Sequence, residues 1–171
     1  MGRGLFAVVL ALVVACTSDP YPMPSQPPHS SQRNPAAVGE PTNAVLIFMT
    51  VRPGDRIELL GADAIGTTKG ASVRFLLSRP INEADGTILI GEDYEDLEGS
   101  VVTAPQSSSG GIYSVGIAAE LTPHEPGRFE ITNVRLRYRL NGGAEQTGEG
   151  IEVVWTVCAE DPKPHDCPEA A

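Results

Sequence analysis

From Ala44 onward, apolar residues fall in short runs broken by turn-forming residues, and no segment repeats with a helical period. Ala44–Val51 (AVLIFMTV) is a continuous apolar run suited to a buried strand. Pro53-Gly54-Asp55 marks a turn, and Arg56–Leu60 and Ala71–Ser78 (ASVRFLLS) read as strands. Asp85-Gly86 marks a turn before a strand over Thr87–Ile90. Val101–Thr103 fits a short edge strand, residues 106–111 (QSSSGG) a loop, and Ile112–Leu121 a longer strand. Phe129–Thr132 and Val134–Leu140 read as two further strands. In the second, Val134, Leu136, Tyr138 and Leu140 alternate with Arg135, Arg137 and Arg139. Asn141-Gly142-Gly143 is a hairpin signal. Ile151, Val153, Trp155 and Val157 then share one face of a last strand. About seven to nine short strands with this turn spacing predict an all-β, antiparallel sandwich over residues 44–158.

Leu121, Pro123, Glu125, Gly127 and Phe129 occupy every second position. This run resembles the corner motif of immunoglobulin-like and fibronectin-type domains, Leu-x-Pro-x-acid-x-small-x-Tyr. The resemblance implies an immunoglobulin-like sandwich in which the corner leads into the penultimate core strand. Phe129 stands where the motif has Tyr, so the hydroxyl hydrogen bond of that corner cannot form. The architecture hosts many functions and selects none.

Before the predicted sandwich the pattern changes twice. Leu5–Ala15 (LFAVVLALVVA) is an unbroken apolar run of 11 residues preceded by Arg3. A membrane-spanning helix needs about 20 residues. The run fits the core of a signal peptide instead, and no second long apolar run follows it. It ends in Val13-Val14-Ala15-Cys16, which resembles the lipobox of bacterial lipoproteins. The resemblance implies that residues 1–15 are removed and that Cys16 becomes a diacylglycerol-bearing N-terminus. It places the chain on the extracytoplasmic face of a bacterial cell membrane or outer membrane. Two acyl chains anchor stably, at about 0.8 kcal/mol per buried methylene. An ordinary cleaved signal peptide, with Cys16 an unrelated thiol, is the rival reading.

Residues 16–43 carry seven of the chain's 15 prolines. Proline removes the N–H that ladders and helices require. With no hydrophobic periodicity, the segment is expected to be a disordered tether. Its reach would be roughly 80 Å if extended and roughly 30 Å as a coil.

Charge narrows the function classes. The chain has 12 Lys+Arg against 22 Asp+Glu, a formal net charge of −10. Nucleic-acid binding needs a basic surface, so that partner class is excluded as an expectation. If Cys16 is lipidated, Cys158 and Cys167 remain as a pair expected to oxidise outside the cytoplasm. The bridge would close a short loop in the acidic tail, 159–171, and contribute about 2.5–3 kcal/mol. The rival assignment makes Cys158, His165 and Cys167 metal ligands, but a fourth ligand or second close pair is needed and no CxxC occurs.

Other candidate chemistry is sparse. Glu92, Asp93, Glu95, Asp96 and Glu98 suit a hard cation such as calcium, or simply a solvated acidic loop. Arg135, Arg137 and Arg139 form a possible anion-binding surface, or a solvent face paired with carboxylates across the ladder. His29, His124 and His165 are scattered. Motifs for a serine nucleophile, a zinc protease, a Walker loop or a dinucleotide fold are absent, so no enzyme and no cofactor is expected. Two functions stay open. One is a non-catalytic, lipid-anchored module binding an envelope protein or cell-wall ligand. The other is a copper- or calcium-binding lipoprotein that buffers or delivers the ion.

Overall fold

The structure, a computed structural model, describes residues 24–25, 31–82, 88–104, 113–149 and 153–168. In chain order the strands are β1 (Pro24–Ser25), β2 (Gln32–Ala37), β3 (Thr42–Val51), β4 (Arg56–Thr67), β5 (Ala71–Asn82) and β6 (Ile88–Asp96). They continue as β7 (Val101–Thr103), β8 (Tyr113–Pro123), β9 (Gly127–Leu140), β10 (Glu145–Glu149) and β11 (Trp155–Glu160). One sheet runs β1-β3-β8-β5-β6, the other β2-β11-β9-β4-β7, with β10 on β9. The neighbours β1-β3-β8-β5 and β4-β9-β11 reproduce the ABED and CFG orders of an immunoglobulin-type sandwich. No helix among the described residues is long and apolar enough to cross a membrane.

The inward faces follow the sequence pattern. Val134, Leu136 and Tyr138 of β9 and Trp155 and Val157 of β11 are buried together with Leu121 and Phe129 of the corner. Residues 124–126 carry the chain from β8 in one sheet to β9 in the other, as the corner resemblance implies. Asn141 and Gly142 both hold positive φ, 52° and 72°, as a type I′ hairpin turn requires. Gly143 N closes that turn on Leu140 O at 2.9 Å.

Bulges account for two irregularities in the pattern. The pairing of β3 with β8 shifts between Val45 and Ile47. Adjacent Leu46 and Ile47 are therefore both buried, and the strand reads as a continuous apolar run. The pairing of β9 with β4 shifts between Ile65 and Gly66, opposite Asn133 and Ile131. Ile131 and Val134 both face inward although they are three residues apart. The sequence reads this break in alternation as two strands; the structure has one strand of 14 residues.

Three expectations are corrected. The sequence predicts a disordered tether to residue 43, but Gln32–Ala37 form a strand parallel to Trp155–Glu160, and β3 begins at Thr42. Pro35 is tolerated because β2 is an edge, and Ala36 on it is fully buried. Hence the folded part starts well before residue 44, and one ladder of the sandwich is parallel. The acidic cluster is mostly strand and not loop: Glu92 to Asp96 lie in β6, and only Glu98 sits in the turn after it. The last strand begins at Trp155, with Val153 ahead of it, and the hairpin at Asn141-Gly142 returns as a separate strand, β10; both β10 and β11 pair with β9. The turn at Asp85-Gly86, the loop 106–111 and Ile151 lie outside the described residues, as do the signal-like run, Cys16 and His29.

Candidate functional site

Strand alternation turns the three arginines of β9 outward while Val134, Leu136 and Tyr138 fill the core. Each guanidinium meets a carboxylate. Arg135 lies opposite Glu149 in the ladder and donates to Glu149 Oε1 from Nε at 3.0 Å and Nη2 at 2.7 Å. Arg137 Nη1 is 3.8 Å from Glu145 Oε1, diagonally across β10. Arg139 Nη1 is 3.6 Å from Glu58 Oε2, its register partner on β4. The row is thus charge-compensated on both flanks. A polyanion landing here would first have to displace these carboxylates.

The acidic strand β6 forms the outer edge of its sheet. Asp93, Glu95 and Asp96 are exposed, as is Tyr94 between them. Successive residues of a strand point to opposite faces, so these carboxylates do not converge as the ligands of one calcium shell must. Asp96 Oδ1 lies 3.6 Å from Arg74 Nη1, whose Nη2 is 3.1 Å from Glu120 Oε1. Ser100 Oγ donates to Asp96 O at 2.6 Å, folding the chain after β6 back toward β7.

The third candidate surrounds the C-terminal bridge. Cys158 at the end of β11 and Cys167 are joined by a disulfide with Cα atoms 5.3 Å apart. Both thiols are consumed, which removes the metal-ligand assignment of Cys158, His165 and Cys167. The loop and the corner enclose an open cleft of about 640 Å³ whose walls include Arg128, Glu160, His165 and Asp166. Arg128 Nη1 is occupied by the Pro168 carbonyl at 2.7 Å. His124 and His165 are exposed, on the corner and in the loop respectively. Among the described residues no group of three or more His, Cys, Asp or Glu side chains is placed to hold a metal ion.

Loop and N-terminal strand are fastened to one another. Lys163 Nζ donates to Glu40 Oε1 and Oε2 at 3.2 and 3.1 Å. Glu40 Oε2 also accepts from Ala37 N at 3.1 Å. The backbone hydrogen bond from Ala37, then the hydrogen bond and charge of Lys163, hold the Glu40 carboxyl below the usual glutamate range. Burial raises the Tyr138 hydroxyl above the ordinary tyrosine range. Sequence reading missed Glu40 and Lys163, because no motif marks an ion pair between residues so distant in the chain.

No known protein family matches the sequence, and no curated protein matches it. Among solved structures, the Proteus mirabilis ambient-temperature fimbriae adhesin AtfE is similar at 17% identity. The match covers 81% of this chain and 98% of that one, with a TM-score of 0.29. So loose a superposition assigns nothing.

Proposed function

We propose that the chain is a non-catalytic binding module held by lipid on the extracytoplasmic face of a bacterial envelope. The observation that carries the reading is the Cys158–Cys167 bridge. Structural disulfides persist in oxidising compartments, and this one sits on a chain whose first 15 residues have the pattern of an export signal. In this reading Cys16 holds the acyl chains. Residues between it and β1 form the spacer. The sandwich displays its end loops and edges to an envelope protein or cell-wall ligand, which is where binding surfaces on such scaffolds concentrate.

Wild type and Cys16→Ala, expressed in bacteria fed a clickable palmitate analogue, test the anchor. Label on wild type alone, with the variant released from membranes, is the expected result. Equal release of both proteins would return Cys16 to an ordinary thiol. Crosslinking on intact membranes followed by mass spectrometry tests the binding role. A partner captured with wild type and lost with the variant is expected. No partner in either form overturns the proposed protein-binding role.

A further inference from the structure

We propose that the Cys158–Cys167 loop is a redox-sensitive latch on β2, the edge strand that pairs parallel to β11. Among the described residues, β2 is an edge strand whose ladder rests on β11 alone. At its C-terminal end it is held by groups in or beside the disulfide loop. Val38 N donates to Glu160 O at 3.2 Å, and Glu160 lies within the 158–167 ring. Lys163, also within the ring, donates to both oxygens of Glu40. Glu40 in turn accepts from Ala37, the last residue of β2. Beyond the ring, Arg128 holds the Pro168 carbonyl against the start of β9. The bridge therefore confines the chain that carries Glu160 and Lys163 over the turn that ends β2.

Reduction by a dithiol breaks the Sγ–Sγ bond. Two electrons and two protons pass to the cysteines, and the reductant leaves as its own disulfide. Residues 161–168 then lose their covalent fixed point. The Lys163–Glu40 contact must be held by an open chain end, and its entropic cost rises. Strand β2 loosens, while β3, β8 and β5 keep the ladders they share with one another in the other sheet. The consequence is local: one edge of β11 is uncovered and the domain's grip on its own N-terminal segment weakens.

Hydrogen exchange read by mass spectrometry on the full chain tests this, comparing oxidised protein with protein reduced by dithiothreitol. Amides in 32–38 should exchange about tenfold faster or more after reduction, with those of β3 and β8 within about twofold of their oxidised rates. Unchanged rates in 32–38 overturn the latch. Equal acceleration of β2, β3 and β8 also overturns it, because the bridge would then support the whole fold. Cys158→Ser/Cys167→Ser should reproduce the reduced pattern without reductant. Oxidised Lys163→Ala separates the ion pair from the bridge: a rise of about two- to fivefold in the same amides is expected, and no rise removes Lys163 from the latch and overturns it.

Discussion

The indole Nε1 of Trp155 donates to Oδ1 of Asn34 at 2.9 Å, joining β11 to β2 across 121 residues of chain. Trp155 is fully buried and is the chain's single tryptophan. Its one polar atom therefore depends on an edge strand for a partner. Replacing Asn34 with Ala leaves a buried N–H unpaired, which costs about 1–3 kcal/mol. Thermal unfolding should show a Tm lower by about 4 °C for each kcal/mol. Asn34→Asp retains an acceptor and should cost less. An Asn34→Ala protein as stable as wild type would mean that water replaces the amide.

Gly66 should be the most demanding glycine of β4. Its φ is +147°, and a Cβ there would run into the backbone carbonyl of Glu130. Backbone cannot move aside as a flexible side-chain end can. Gly66→Ala is therefore expected to cost about 3 kcal/mol or more, combining strain with a broken bulge. Gly54→Ala is the control: φ is +86° with nothing within 4 Å of the added atom, so only conformational strain of about 1 kcal/mol is expected. Chemical denaturation of both variants gives the comparison. Similar midpoints would show that β9 yields at Glu130.

Glu40 should titrate below the usual glutamate range because Ala37 N–H and Lys163 both favour its charged form. A carboxylate with a depressed folded-state pKa contributes stability above its unfolded pKa. That contribution is lost as pH falls through the folded value. Loosening of β2 on acidification should thus begin near pH 4.5, the unperturbed value, and be complete below it. Carbon-detected NMR titration of Glu40 reads the shift directly. In Lys163→Ala the pKa should rise only part of the way, since the Ala37 hydrogen bond is the larger cause. Full recovery of the ordinary value would make the lysine the dominant partner.

How far the fold was legible in the sequence depended on which residues carried each strand. Alternation around Tyr138 and Trp155 located β9 and β11, because each strand has one face on the core. Asn141-Gly142 gave the hairpin, because two consecutive positive φ values strongly favour this pair. Strand β2 was invisible: QRNPAA is polar, contains proline and places only Ala36 fully in the core. Its strand character comes from pairing with Trp155–Glu160, a tertiary fact with no local signal. The acidic residues of β6 misled for a related reason, since an exposed edge tolerates a composition that looks like a loop. The arginine row was legible as a face, and pairing with carboxylates was one of its two readings. Which carboxylates, and that all three arginines have one, required the register of β4, β9 and β10.

That register yields the last prediction. Glu58, Glu145 and Glu149 neutralise Arg139, Arg137 and Arg135, so the outer face of β9 should carry no useful affinity for anions. On a polyanionic matrix at about 0.15 M salt, where exposed charges are screened beyond roughly 8 Å, wild type should pass unretained. In Glu58→Gln/Glu145→Gln/Glu149→Gln the formal charge moves from −10 to −7, since three carboxylates are removed. The global balance barely changes, but three guanidiniums on one strand face become uncompensated. Exposed ion pairs contribute about 0–1 kcal/mol each, so the triple variant should fold. It should be retained at low salt and elute as ionic strength rises, and adding Arg135→Gln/Arg137→Gln/Arg139→Gln should abolish retention. Retention of wild type that is lost with the arginine changes would show that ligands outcompete the glutamates, and would make this row the binding surface of the module.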